Sequence, residues 1–159
     1  MIERTLVLVK PDGVQRSLTG TVIKKFENAG MKIVGMKMVW VNKALSKKHY
    51  SDHIGKPFFA GLDEFIRSGP VVAIVLEGVE SIKNVRRIVG STAPGDATPG
   101  TIRGDYAHHT YAFADRVGKS IANIIHASGN SKDAKKEVAL WFSKKELHSY
   151  KRADEHIVF

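Results

Sequence analysis

The chain has 159 residues, 43% of them apolar and 26% charged, with no cysteine and with 25 Lys and Arg against 16 Asp and Glu, a net charge of +9. That composition is one of a globular domain, and the lack of cysteine excludes disulfides, thiolate metal sites and a thiol nucleophile together. The positive charge favours anionic partners, nucleotides and nucleic acids alike, although no basic run exceeds two residues. The longest aliphatic run, Val71 to Leu76, falls far short of the roughly 20 apolar residues that cross a bilayer, so no membrane span is expected. Met1-Ile2-Glu3-Arg4-Thr5 lacks the apolar stretch of a secretory signal. A single domain over residues 1–159 in the cytoplasm is the expectation.

Arg4 to Val9 reads as a strand that stops at Lys10-Pro11-Asp12-Gly13, where proline removes a donor and glycine permits a turn. Leu18, Val22, Ile23, Phe26 and Ala29 then recur at helical spacing, with Gly30 closing the helix. Val34, Met36, Met38 and Trp40 alternate, which predicts a second strand with those four side chains in the core. Ser46 is the expected cap of a short helix carrying His49, Tyr50 and His53, and a further helix around Leu62, Phe65 and Ile66 ends at Ser68-Gly69-Pro70. Val71 to Leu76 makes a third strand, and Ile82, Val85 and Val89 mark a helix closed by Gly90. Ser91 to Gly104 has no hydrophobic period and reads as a loop of functional length. Ala122 to His126 predicts a fourth strand, Ala134, Val138 and Trp141 a late helix, and Ser143 with Glu146 a capping box. The pattern implies an α/β (α+β) sandwich, helices covering a four-stranded, mainly antiparallel sheet whose strand order stays open.

Two charged residues fall awkwardly for a purely structural reading. At about 100° per residue, Arg86 lies beside Ile82 and Val89 on the buried stripe, and Glu137 follows Ala134 and precedes Trp141 in the same way. Either they reach solvent along their stems or Arg86 awaits an anion while Glu137 orients a donor. The nearest candidate donor is His126, at a strand end just before the small residues Ala127-Ser128-Gly129. The loop from Thr92 to Gly104 offers hydroxyls, glycine-exposed backbone donors and the Arg103 fork, all suited to phosphate, yet it fits neither the Walker pattern nor the dinucleotide fingerprint.

Taken together, Glu3-Arg4-Thr5-Leu6 leading to Lys10-Pro11-Asp12-Gly13-Val14-Gln15-Arg16, His49-Tyr50, Pro57-Phe58-Phe59-Ala60-Gly61-Leu62, Ser68-Gly69-Pro70-Val71-Val72-Ala73, Pro99-Gly100-Thr101-Ile102-Arg103-Gly104-Asp105 and Asn123-Ile124-Ile125-His126 resemble the nucleoside diphosphate kinase family almost end to end. The resemblance implies a ferredoxin-like sandwich and transfer of the γ-phosphate from a nucleoside triphosphate to a diphosphate, ribo or deoxyribo. It also implies a ping-pong route through phosphohistidine at His126, with Glu137 holding the ring and Tyr50 beside it. By the same resemblance Lys10, Arg86, Thr92 and Arg103 grip phosphate, Phe58 stacks on the base, and Lys10 with Asn123 reaches the sugar hydroxyls. Mg2+ is expected on the nucleotide phosphates rather than on protein side chains. A homo-oligomer, hexameric by resemblance, is expected.

The chain departs from the family in two places. Gly129 stands where the family usually has aspartate after His-Gly-Ser, and the segment from Tyr106 to Ala122 is longer than in the commonest members, with no role evident from its residues. The adjacent His108 and His109 lack a third metal ligand, and His49 and His53 lack the Glu of a zinc-protease helix, so packing is the expectation for all four. The rival readings are a nucleic-acid-binding ferredoxin-like module, weakened by the absence of the aromatic RNA-recognition pattern, and a catalytically silent regulatory relative. Strand geometry adds one expectation. Asn123 and His126, three apart, face opposite sides of a regular strand, so serving one site requires unusual backbone at Ile124 or Ile125 and Glu137 within reach of one His126 nitrogen.

Overall fold

The computed structural model describes residues 1–158. Four antiparallel strands lie in the order β2-β3-β1-β4, with β1 at Ile2–Val9, β2 at Lys32–Trp40, β3 at Pro70–Val79 and β4 at Ile125–Ala127. This is the ferredoxin-like arrangement, with β1 between β3 (Leu6 opposite Val75) and β4 (Leu8 opposite His126).

Helices cover both faces of the sheet, which explains why β1 is a continuous apolar run: Leu6, Val7, Leu8 and Val9 are all fully buried, alternate residues serving opposite cores. Beneath Val7 and Val9 lie α2 (Thr19–Asn28), through Val22 and Phe26, and α5 (Ser81–Val89), through Val85 and Val89; α1 (Pro11–Gln15) is the short turn of helix that follows β1. Leu6 and Leu8 pack instead with Tyr50 after α3 (Lys43–His49), Ile66 of α4 (Phe59–Ile66) and Trp141 of α8 (Ser131–Trp141). The phosphate-type loop carries a short helical turn at Pro94–Asp96 and runs into α6 (Ile102–Tyr106), and the long segment after it folds into α7 (Tyr111–Arg116). The chain continues past the Ser143–Glu146 capping box, which is present, to α9 at Glu155–Val158.

Several local expectations are corrected. Met36, Met38 and Trp40 are 54%, 64% and 69% exposed rather than in the core. A register irregularity between Ile33 and Gly35 slips the alternation by one, burying Val34 and Gly35 in succession and turning the later side chains outward. Asn42, not Ser46, caps α3, its side chain accepting from Leu45 N at 2.9 Å, while Ser46 is buried inside the helix. Arg86 is exposed, not on the buried stripe of α5. The stripe is set by Ile82, Val85 and Val89, and Arg86 lies about 70° from its centre, enough to tip outward. The fourth strand begins at Ile125 rather than Ala122, because the backbone before it is kinked.

Candidate active site

The kink is at Ile124, whose φ of 70° is a left-handed conformation that β-branched residues avoid at a cost of roughly 1–3 kcal/mol. Ile125 N donates back to Asn123 O at 2.7 Å, closing a three-residue turn around Ile124. Its neighbours hold it in place. Ile124 N donates to Asp12 Oδ2 at 2.9 Å, Lys10 N donates to Ile124 O at 2.7 Å, and Arg103 donates to Asn123 O at 3.2 Å and to Ile125 O at 2.6 Å. Gly13 leaves the necessary room: a Cβ there would stand 3.0 Å from both Ile124 O and Ile124 Cγ2. The Lys10-Pro11-Asp12-Gly13 turn is therefore the cradle of the kink, and the kink turns Asn123 and His126 into one cleft, as strand geometry required.

That cleft has a volume of about 760 Å³, and Lys10, Tyr50, Phe58, Arg86, Thr92, Arg103, Asn123 and His126 all line it. Glu137 stands behind the histidine on α8. The His126 Nε2–H donates to Glu137 Oε1 at 2.9 Å, while Glu137 Oε2 accepts from the Ser128 hydroxyl at 2.5 Å. Ser128 is fixed in turn by Leu6 N, which donates to its Oγ at 3.3 Å. Burial pushes the Glu137 carboxyl upward, but the bonds from His126 and Ser128 and the charge of Lys136 outweigh it, so the group lies below its ordinary value and is ionised. An ionised carboxylate only accepts, so the singly protonated His126 ring carries its proton on Nε2 and leaves the Nδ1 lone pair available.

Phosphate-type groups crowd the other side. Lys10 Nζ donates to Asn123 Oδ1 at 2.8 Å, and Asn123 Nδ2 donates to Thr92 O at 2.9 Å. Arg103 spends its third bond on Gly90 O at 3.0 Å. Burial, then the nearby Arg103, lowers Lys10 to about 8; burial, then Arg86, lowers Arg103 to about 10. An anion bound among these groups would relieve the repulsion that Arg103 exerts on Lys10 and Arg86 on Arg103.

Tyr50 is buried, and burial together with the charge of Glu137 raises its hydroxyl, which stays a donor. Phe58 is 53% exposed, a half-free aromatic face at the cleft mouth. Spacing treated His49 as packing, but it packs on His126 itself, with ring centroids 4.6 Å apart. Its side chain is buried and its Nδ1 accepts from Trp141 Nε1 at 3.3 Å. Burial, then the charges of His126 and Lys10, holds it well below its ordinary value, so it packs against His126 as a neutral ring.

His49, His126 and Glu137 bring ligand-type atoms within 4.8 Å of one another. Two of the three already bond each other and His49 Nδ1 is engaged by Trp141, so the trio works as a hydrogen-bonded support rather than as a metal cage. His108 and His109 pack edge-to-face, and His109 Nδ1 accepts from Ala122 N at 3.3 Å. Sequence reasoning missed Asp12, Gly13, His49 and Ser128 as site supports. The Lys10-Pro11-Asp12-Gly13 run signalled a turn but not its partner.

Comparison with known proteins agrees with this geometry. The family model described as Nucleoside diphosphate kinase matches residues 3–147. The nucleoside diphosphate kinase of Pyrococcus furiosus is 47% identical over 152 residues, covering 96% of this chain and 90% of that protein. That of Archaeoglobus fulgidus is 48% identical over 158 residues, covering 99% and 98%. Among solved structures, a transition state mimic of the Borrelia burgdorferi enzyme with bound vanadate and ADP superposes with a TM-score of 0.94 at 45% identity, covering 97% of this chain and 95% of that one. A Halobacterium salinarum enzyme in complex with CDP gives a TM-score of 0.89 at 41% identity, covering 100% and 99%. Sequence and fold agree over nearly the whole length, and this chain belongs to the nucleoside diphosphate kinase family.

Proposed function

We propose that His126 carries the phosphoryl group in this kinase, by attack of Nδ1 on the γ-phosphorus of a nucleoside triphosphate. The N–P bond forms as the bond from phosphorus to the β,γ-bridging oxygen breaks, the electron pair leaving with the diphosphate product. The imidazolium character that develops is stabilised at Nε2–H by ionised Glu137. A second nucleoside diphosphate then takes the phosphoryl group by the reverse displacement. Lys10, Arg86 and Arg103, with the Thr92 hydroxyl, balance charge on the phosphoryl oxygens, and Tyr50 donates beside the nucleophile. Lys10 and Asn123 meet the sugar hydroxyls. Phe58 stacks on the base, an interaction available to any base, and the ADP and CDP bound by two relatives support that tolerance. The observation that carries the reading is the His126 to Glu137 bond, which commits one ring nitrogen and leaves the other for the cleft.

Asp115 is the one carboxylate among the lining residues, so the donor set suits magnesium that arrives on the nucleotide phosphates, where it neutralises their charge. Among the described residues no helix is long and apolar enough to cross a membrane, and we place the protein in the cytoplasm as one domain over residues 1–159. The exposed Met36, Met38 and Trp40 on edge strand β2 support a homo-oligomer, with the hexamer favoured. A monomer by light scattering at micromolar concentration would refute that assembly.

The test of the chemistry is incubation with ATP labelled on the γ-phosphate and no second nucleotide. The expected result is an acid-labile, alkali-stable label on the protein, absent in His126→Gln and His126→Ala. Full exchange activity in either variant would sink the assignment, and an unlabelled wild type would favour a silent regulatory or nucleic-acid-binding module instead.

A further inference from the structure

Beneath His126 a second histidine holds its proton on the less favoured nitrogen. Trp141 of α8 is buried, and its indole N–H, which can only donate, donates to His49 Nδ1 at 3.3 Å. That nitrogen is therefore a bare acceptor, and the proton of the neutral ring sits on Nε2. His49 Nε2 is buried without a hydrogen-bond partner among the described residues. His49 Nδ1, by contrast, stands 4.0 Å from Glu137 Oε1. A buried donor without an acceptor is unfavourable, and a proton moved to the other ring nitrogen would have a carboxylate beside it. The Trp141 bond blocks that exchange.

The blocked contact matters because Glu137 Oε1 is the atom that accepts from His126 Nε2 at 2.9 Å, while Oε2 is taken by the Ser128 hydroxyl. His49 and His126 lie edge-to-face over this one free oxygen, with ring centroids 4.6 Å apart. If His49 Nδ1 bore a proton, as the other tautomer or as an imidazolium, a shift of about 1 Å would bring it onto Oε1. His126 would then lose the bond that keeps its own proton on Nε2. The groups that face His49 are His126, Glu137, Tyr50 and Trp141, with Lys10, His53 and Lys136 close enough to act by charge. The surrounding cations and the burial of the ring oppose a charge on it, and Glu137 favours one.

We propose that Trp141 is a positioning residue for phosphoryl transfer: by donating to His49 Nδ1 it keeps that nitrogen free of a proton and so reserves Glu137 Oε1 for His126. Neither Trp141 nor His49 lines the cleft, so the effect reaches the reacting centre through Glu137 alone. The inference rests on the reading of His126 as the nucleophile.

The test is Trp141→Phe, which keeps an aromatic ring and removes the donor. Single-turnover labelling from ATP carrying label on the γ-phosphate should be about tenfold slower at neutral pH, with KM within about twofold of wild type. The loss should deepen toward acid. With Nδ1 released beside Glu137 the pKa of His49 rises, so as pH falls through the raised value the ring becomes cationic and takes the carboxylate, an acid limb that the wild type lacks. Histidine 15N NMR should show the His49 proton on Nε2 in the wild type, and on Nδ1 or on both nitrogens in Trp141→Phe. The double variant H49F/W141F removes donor and competitor together and should recover most of the rate and lose the acid limb. A proton on His49 Nδ1 in the wild type, a Trp141→Phe rate equal to wild type across the pH range, or a double variant as slow as Trp141→Phe would each overturn the proposal while a labelled wild type left the His126 reading standing. A wild type that takes no label from ATP would overturn that reading and the proposal with it.

Discussion

The two walls of the cleft are built on opposite plans. On the His126 side four of the lining groups are bonded within the chain: Lys10 to Asn123, Asn123 to Thr92, Arg103 to three carbonyls, His126 to Glu137. On the side of α7 the lining Tyr111, Asp115 and Lys119 are exposed, with no side-chain hydrogen bond among the described residues. Phosphoryl transfer gains from dipoles and charges already oriented before the charge develops, whereas accepting many bases gains from contacts that adjust. Under the roles proposed above, rate and tolerance fall on different walls of the cleft.

The largest break in that contrast should come from Glu137→Ala, which frees the His126 ring and removes the charge opposite its developing cation. We expect kcat to fall by about 10²- to 10³-fold, with partial recovery in Glu137→Gln, whose amide oxygen still accepts from Nε2–H. Single-turnover phosphohistidine formation is the measurement, and KM should move far less than kcat.

Asp12→Ala should come next. It strands the Ile124 amide without an acceptor and lets the kink relax, and a misplacement of about 1 Å costs on the order of 10²-fold in rate. Asp12→Asn keeps an acceptor and should restore most of the activity. Asp12 is a positioning residue on this view, so the split between alanine and asparagine in kcat, not the melting temperature, is the readout.

A third test uses pH. Lys10 titrates at about 8 in the free protein, below its ordinary value, so above that pH the cleft loses a cation that a bound phosphate would hold protonated. Nucleotide binding then requires proton uptake, and KM should rise by about tenfold per pH unit above 8 until it reaches the higher pKa of the complex. Lys10→Arg should remove that inflection. The smallest effect should be Phe58→Leu, which replaces a stacking face by aliphatic surface on the adaptable wall. A KM rise of about threefold, similar for purine and pyrimidine nucleotides, is expected with kcat unchanged.

The sequence revealed the four strands because their apolar runs are long or alternate cleanly, and its motifs brought the lining residues into one list. It failed where phase depended on something non-local. The slip near Gly35 arises where the chain returns across β2: a Cβ on Gly35 would meet Glu146 O at 3.0 Å, a neighbour more than a hundred residues later. Arg86 was misjudged because three stripe positions define a centre that two do not. Asp12 signalled a turn but not its partner 112 residues away, and Ser128 joins Glu137 to Leu6, 122 residues away, a link no local pattern shows. The stretch from Tyr106 to Ala122 has no period to read, its helix being six residues long and capped by Thr110.

Ile124 shows what holding a strained turn inside a core entails. Its side chain is fully buried among Val9, Val22 and Phe26, a burial favourable by about 1.5–3 kcal/mol and so comparable to the strain of its backbone. Glycine would tolerate the angle but forfeit that burial. The turn that positions His126 is thus tied to the core beneath it: it opens when the core opens. Its amide hydrogen, bonded to Asp12, should exchange with solvent only through global unfolding, while the amides of α7 exchange through local opening.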